Sequence, residues 1–187
     1  MPSYYPYLLS SLPMLSFGMK APLTIEKLLA QCKGIIPDED IGTVRLALAP
    51  EGPLCAKEKN GTLRRWRSFD TMVRNELVKI RAPRRKIEES KYLRQDGCPE
   101  SLYAAHIAVN AYRKPSILEA ERSLDLERWR ELDELSLGHY FDIDALIVYA
   151  YKLKILQKWA KIQSADKRRS LEDALAPVSI VRESRAT

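Results

Sequence analysis

The stretch FDIDALIVYAYKLKILQKWAKI, Phe141 to Ile162, restricts the possible folds more than any other part of the chain. Its apolar residues recur at helical spacing, with Leu146, Ile147, Ala150, Leu153, Leu156 and Ala160 on one face. Tyr149, Tyr151, Ile155, Trp159 and Ile162 carry apolar character most of the way round, leaving Lys154, Lys158 and Lys161 as a narrow basic stripe. A helix that is apolar on nearly every side needs other elements to cover it. Together with Lys152, these lysines also interrupt the run before it reaches the roughly 18 apolar residues of a membrane span. The segment therefore predicts the central helix of a bundle, with leftover surface for a partner, and no crossing of a bilayer.

Other helices are punctuated around it. Thr24 is a candidate N-cap for a helix through Lys33, stopped at Gly34. Pro37 and Asp38 open a second, with Ile41, Val44, Arg45 and Leu48 on one face and Pro50 at its end. The stretch LCAKEKNGTLRRW reads as a loop, because its flanks lack a clean apolar alternation around Asn60-Gly61. Ser68 then caps a helix to about Arg81, closed by Pro83. Gly97 and Pro99 start PESLYAAHIAVNAYRK, whose Ala104, Ala105, Ala108 and Ala111 permit close approach of a neighbour. Ser116 with Glu119 forms a capping box for a highly charged outer helix with a stripe of Leu126, Trp129 and Leu132 or Leu135. Asp142 caps the central helix, and Ser170 with Asp173 opens a last short one in SLEDALAP.

The fold class that results is all-α: an irregular bundle of about seven helices, an estimate with the usual boundary errors, behind an extended N-terminal segment. In that segment Tyr4, Tyr5, Tyr7, Leu8, Leu9 and Leu12 form an apolar ribbon; no positive charge precedes it and Pro6 and Pro13 interrupt it, unlike a signal peptide. Residues 1–176 are read as a single helical domain, with two packed subdomains at 1–55 and 65–176 as the alternative division, and 177–187 as a flexible tail. Scarce glycine and prolines placed mostly at segment ends fit this reading.

The net charge of +6 favours acidic partners: nucleic acid, anionic lipid or an acidic protein face. Cys32, Cys55 and Cys98 are odd in number and far apart, which argues against a disulfide framework or a zinc site and for a reducing cytoplasm. The seven glycines form no phosphate-cradling motif. His106 and His139 lack HExxH or a carboxylate at a ligand interval, so no metal is assigned. Cys98 and His106 lie about 12 Å apart along one helix, too far for a nucleophile and its base. Paired carboxylates such as Asp142 and Asp144 fall at helix starts, where the dipole explains them. No catalytic residue and no cofactor is assigned, and the chain is read as a non-enzyme.

Three basic clusters remain: Arg64, Arg65 and Arg67 beside Trp66; Arg84, Arg85 and Lys86; and Lys167, Arg168 and Arg169. They keep open a basic helical RNA-binding protein as the alternative function, although each adjoins a helix end, where cations are expected anyway.

FDIDALIVYAYKLKILQKWAKI followed by SLEDAL resembles the helical segment of the C subunit of archaeal and bacterial V/A-type ATPases. YYPYLLSSLPMLSF, APLTIEKLLAQC, SFDTMVRNELVKIRAPR and LSLGHYFDIDALIVYAYKLKIL resemble an uncharacterised bacterial family encoded among V-type ATPase genes. The resemblance implies a non-catalytic subunit or assembly factor: an all-helical adaptor between the central stalk and the membrane proteolipid ring, peripheral on the cytoplasmic face. The C subunit is longer, with three related helical units, where this chain has length for one or two. The partners implied are central-stalk and proteolipid subunits. On physical grounds the candidate contacts are Lys154, Lys158 and Lys161, facing acidic residues of a stalk subunit, with Tyr149 and Trp159 as aromatic anchors.

Overall fold

A computed structural model of the protein describes residues 4–49, 59–94 and 101–164. These hold seven α-helices: α1 (Pro6–Ser11), α2 (Ile25–Cys32), α3 (Asp38–Leu48), α4 (Gly61–Arg85), α5 (Leu102–Tyr112), α6 (Ile117–Leu135) and α7 (Ile143–Ser164). A single 3-10 turn, Glu89–Lys91, follows α4. No strand forms among the described residues, where extended pairing is limited to isolated bridges at Tyr4–Asp142 and Lys33–Ile36. The all-α expectation therefore holds, and none of the described helices is long and apolar enough to cross a membrane.

The membership of the set differs from the sequence reading although the number agrees. The helix expected in SLEDALAP lies outside the described residues, and α1 takes its place in the count. Residues of the presumed extended ribbon are helical from Pro6 to Ser11, because proline at the first helical position has the right φ and no amide hydrogen to leave unpaired. The chain from Leu12 to Thr24 is irregular, as expected of the segment as a whole.

The second correction concerns α4. It starts at Gly61, not Ser68, because the Asn60 side chain accepts from the Leu63 amide at 2.8 Å and caps the new N-terminus. The presumed loop thus contributes Thr62, Leu63 and Trp66, all buried. Pro83 does not end the helix at Arg81; it sits in the last turn, where only one backbone bond is lost. Lys86 then adopts φ 52° and Ile87 N–H returns to the Ala82 carbonyl at 3.2 Å, a left-handed closure of the helix end. The Arg84 guanidinium lies 4.6 Å from the Tyr112 ring centre on α5, which holds that last turn against its neighbour.

Most other boundaries follow the local chemistry. Thr24, Ser101 and Ser116 each accept the amide three residues on, and Asp142 Oδ1 accepts the Ala145 amide at 2.9 Å at the start of α7. Gly138 takes φ +83° in the short connection from α6 to α7, a conformation that costs an L side chain but not glycine. Within α3 the buried face is Ile41, Val44 and Ala47, whereas Arg45 is exposed.

Two hydrophobic clusters flank α7. Ile147, Val148, Tyr151, Ile155 and Leu156 pack with α4, α5 and α6 through Leu63, Trp66, Ile107, Ala108 and Trp129. Leu146, Ala150 and Leu153 pack with α1, α2 and α3 through Tyr5, Leu8, Leu28, Cys32 and Val44. The all-round apolar character of the Phe141–Ile162 segment is thereby explained: it is covered from two sides. On α5, Ala104, Ala108 and Ala111 are buried and bring that helix against α4, its most extensive neighbour, and α6.

Leu153 is fully buried against the N-terminal cluster, so Leu153→Ala is expected to lower the unfolding free energy by about 2–5 kcal/mol. Ile117→Ala, at a residue that is 91% exposed, is expected to change it by less than about 0.5 kcal/mol. Urea unfolding followed by circular dichroism measures both.

Candidate functional site

The five side chains proposed from the sequence as partner contacts do not form one outward stripe. Helical rotation and the packing of α6 against α7 divide them. Lys158 Nζ is 2.8 Å from Asp125 Oδ2 on α6 and also bonds Glu121. Trp159 Nε1 donates to the same Asp125 oxygen at 2.9 Å. Tyr149 OH donates to the Pro13 carbonyl at 2.9 Å, and burial pushes its pKa up to about 12. Lys154 Nζ reaches the Ala49 carbonyl at 3.4 Å, beyond the C-terminus of α3, where a cation is favoured. Lys161 alone of the five is exposed, near enough to α2 for its charge to act on Glu26.

Asp125 is the centre of this arrangement. Only 2% exposed, it accepts from Arg128 Nη1 at 2.9 Å through one oxygen and from Lys158 and Trp159 through the other. Arg128 Nε in turn donates to Asp70 Oδ1 on α4 at 2.9 Å, and Arg74 Nε pairs with Asp70 Oδ2 at 2.5 Å. The network therefore joins α4, α6 and α7. Burial disfavours the Arg128 cation, but Asp70 and Asp125 outweigh it and hold its pKa above the ordinary value. At Glu121 burial likewise opposes the charged form, and the Lys158 hydrogen bond and charge, then Arg128 and Arg81, more than reverse it. Its carboxyl accordingly stays below the usual range.

Asp125 escapes a reading based on apolar periodicity because a buried carboxylate breaks the pattern that defines the stripe. The buried face of α6 is Leu124, Asp125, Trp129 and Leu132, whereas Leu126 is only half-buried. The available signal was charge spacing: Glu121, Asp125 and Arg128 recur at four and three along the helix, with Trp129 beside them.

The basic clusters are likewise separated. Arg64 and Arg65 are exposed, while Trp66 and Arg67 turn inward, and Arg67 Nη2 donates to the Leu46 carbonyl at 3.0 Å near the end of α3. Arg84 is engaged with Tyr112, and Lys167, Arg168 and Arg169 lie outside the described residues. Cys32 is buried, which pushes its thiol pKa up and suits packing, not nucleophilic attack. Cys55 and Cys98 lie outside the described residues. His106 is exposed and meets Asn110 Nδ2 at 3.2 Å.

His139 corrects a further expectation, that it has no carboxylate at ligand distance. The turn into α7 brings His139, Asp142 and Asp144 together with ligand atoms within 4.8 Å of one another. His139 Nδ1 is 2.5 Å from Asp142 Oδ2 and 3.8 Å from Asp144 Oδ2. This donor set, one imidazole and two carboxylates, is chemically able to hold a divalent cation. Its members also have local tasks: Asp142 caps α7, and Asp144 accepts from Asn60 Nδ2 at 2.9 Å, fastening α7 to the start of α4.

A different surface forms where the N-terminal segment meets the connection from α6 to α7. The Tyr4–Asp142 bridge and the Tyr5 amide bond to the Phe141 carbonyl at 2.5 Å fasten the two together. Tyr5 is buried there, but Tyr4, Tyr140 and Phe141 are exposed, and Tyr7 on the adjoining first turn of α1 and Leu137 in the connection are exposed too. A large apolar side chain on its own at a surface is unremarkable; several on two segments joined by backbone bonds form a local apolar end.

Residues 97–173 match the model of a family described as a protein of unknown function, DUF2764. The match takes in α5, α6 and α7, less than half of the chain, and includes Glu121, Asp125, Arg128, Lys158 and Trp159 but neither Asp70 nor the N-terminal aromatics. Comparison with curated proteins and with solved structures gives no match.

Asp125→Ala is expected to cost about 3–5 kcal/mol of stability, because Arg128 and Lys158 lose a buried counter-charge; urea unfolding measures it. A second expectation concerns acid. Glu121 titrates lower in the folded chain than its usual 4.5, so its contribution is fully present above about that pH and is lost as pH falls through the folded value. Glu121→Gln should therefore flatten the fall in stability with acidification, measured as the urea midpoint from pH 6 to pH 3 in steps of about half a unit.

Proposed function

We propose that this chain is a non-catalytic subunit or assembly factor of a V/A-type rotary ATPase, a helical adaptor between the central stalk and the membrane proteolipid ring. The observation that carries the reading is the exposed apolar end formed by Tyr4, Tyr7, Leu137, Tyr140 and Phe141. Aromatic side chains concentrated on a surface are the anchors that protein interfaces use, since each contributes a large contact area at small entropic cost. The same residues fall within YYPYLLSSLPMLSF and LSLGHYFDIDALIVYAYKLKIL, the stretches that carry the resemblance to proteins encoded among V-type ATPase genes. The basic balance of the chain supplies a complementary field for an acidic stalk surface.

The geometry moves the proposed contact away from most of the lysine stripe. Lys158 and Trp159 are bound to Asp125, and Tyr149 to Pro13, so recruiting them would first break contacts within the bundle. Lys161, exposed at the end of α7, keeps its role as a candidate charge contact.

A mild-detergent pull-down of the tagged protein from its native cells, washed at moderate salt and read by mass spectrometry, tests the assignment. Central-stalk or proteolipid subunits are expected, and the combined change Tyr7→Ser and Tyr140→Ser is expected to abolish their recovery while shifting stability by no more than about 1 kcal/mol. Recovery of RNA or ribosomal proteins without ATPase subunits would overturn the reading in favour of a basic RNA-binding protein, whose binding should weaken steeply with added salt.

A further inference from the structure

Where α4 ends and α6 begins, the last turns of α4, the end of α5 and the first turns of α6 border a depression of about 540 Å³. Arg81, Arg84 and Arg85 line it from α4, and Lys114 lines it from the connection between α5 and α6. Each of these side chains is exposed, and none forms an ion pair among the described residues. The carboxylate in the lining, Glu121, is already bonded to Lys158 and lies 3.5 Å from Arg128. Lys86 and Arg113, next in the chain to Arg85 and Lys114, are exposed as well. Cations gathered in this way from two separate segments repel one another, and a polyanionic surface relieves that repulsion.

Apolar side chains stand on the same rim. Ile117 lines the depression and is 91% exposed, and Leu118 beside it is 54% exposed. A single apolar residue at a surface carries no message. Set among uncompensated cations, however, these two complete an interfacial membrane contact: basic groups for lipid phosphates, and alkyl groups for the boundary between headgroups and acyl chains. Single-stranded nucleic acid fits less well, since its bases stack on open aromatic faces. Tyr112, the aromatic ring of the lining, has the Arg84 guanidinium over it at 4.6 Å. An acidic protein face would answer the charge but set carboxylates against Ile117 and Leu118.

We infer that this end of the bundle docks directly on an anionic phospholipid surface, with lipid phosphates at Arg81, Arg85 and Lys114 and with Ile117 and Leu118 entering the headgroup boundary. Arginine suits the phosphate because its planar fork donates two parallel hydrogen bonds. The contact is peripheral, as no described helix is long and apolar enough to cross a membrane. It goes beyond the ATPase reading and does not rest on it. The length of α6, roughly 28 Å, separates Ile117 from the connection that holds Leu137, so lipid and a protein partner at the aromatic end can be held at once.

The test is cosedimentation of the full chain with large unilamellar vesicles of phosphatidylcholine, with and without phosphatidylglycerol. Binding is expected to the anionic vesicles only, weakening steeply with added salt. Arg81→Gln with Arg85→Gln should weaken it by roughly twentyfold, at about fivefold for each cation. Ile117→Ser with Leu118→Ser should weaken it by roughly tenfold. Lys33→Gln with Arg45→Gln removes the same net charge from exposed positions on other elements, and should leave binding within about twofold. All the substituted side chains are exposed, and circular dichroism with thermal unfolding checks that each variant keeps the fold. No binding to anionic vesicles, equal binding to neutral ones, or an equal loss in the Lys33 and Arg45 variant would overturn the lipid site. Unchanged binding after Ile117→Ser with Leu118→Ser would overturn the apolar insertion. Binding of labelled single-stranded RNA or of polyglutamate through Arg81 and Arg85, without binding to vesicles, would overturn the site in favour of that partner.

Discussion

Nearly every face of α7 would expose apolar surface to water if left without cover, and this demand organises the rest of the molecule. Leu146, Ala150 and Leu153 face the N-terminal helices, while Ile147, Val148, Tyr151, Ile155 and Leu156 face α4, α5 and α6. Neither group of helices could satisfy α7 alone, because a helix packed on one side leaves its opposite stripe in water. The short helices α1, α2 and α3, none of which would persist by itself at such length, gain stability from that contact. Their attachment is reinforced at the start of α7 by the Tyr4–Asp142 bridge and near α3 by Arg67 and Lys154, which reach carbonyls around its end.

The charged contacts serve the same packing. A carboxylate as buried as Asp125 would be costly by itself, but three donors from two helices surround it, and Asp70 extends the network to α4. Such a cluster adds little net stability compared with an apolar equivalent, yet it penalises a rotated or shifted α6 severely, since any slip strands a buried charge. Beside it the packing is incomplete, and a basic cavity remains where a tighter core would have closed. The apolar end at Tyr140 and Phe141 lies in the connection that precedes α7, apart from the Asp125 network.

Much of this was legible in the order of residues. The caps at Thr24, Ser116 and Asp142 act within one turn of their own helices, and the alanines of α5 could be seen to invite a close neighbour, although that helix starts at Leu102 behind a Ser101 cap and not at Pro99. The start of α4 was missed because Asn60-Gly61 is equally good chemistry for a turn and for a helix start, and only the burial of Leu63 and Trp66 decides between them. The lysine stripe was misleading for a related reason. A snorkelling lysine and an ion-paired one look alike in sequence, and the partners of Lys158 lie more than thirty residues away.

By itself the sequence determined the helical class, the capped starts of α2, α6 and α7 and the need for α7 to be covered, because these depend on spacings of one to four residues and on the polarity of side chains. Tertiary structure alone decided which faces of α7 meet which helices, that Asp125 is buried and shared, and that aromatic residues of the N-terminal segment and of the connection from α6 to α7 gather at one surface. Those outcomes depend on contacts between residues far apart in the chain, whose register is selected jointly by packing and charge compensation across several helices.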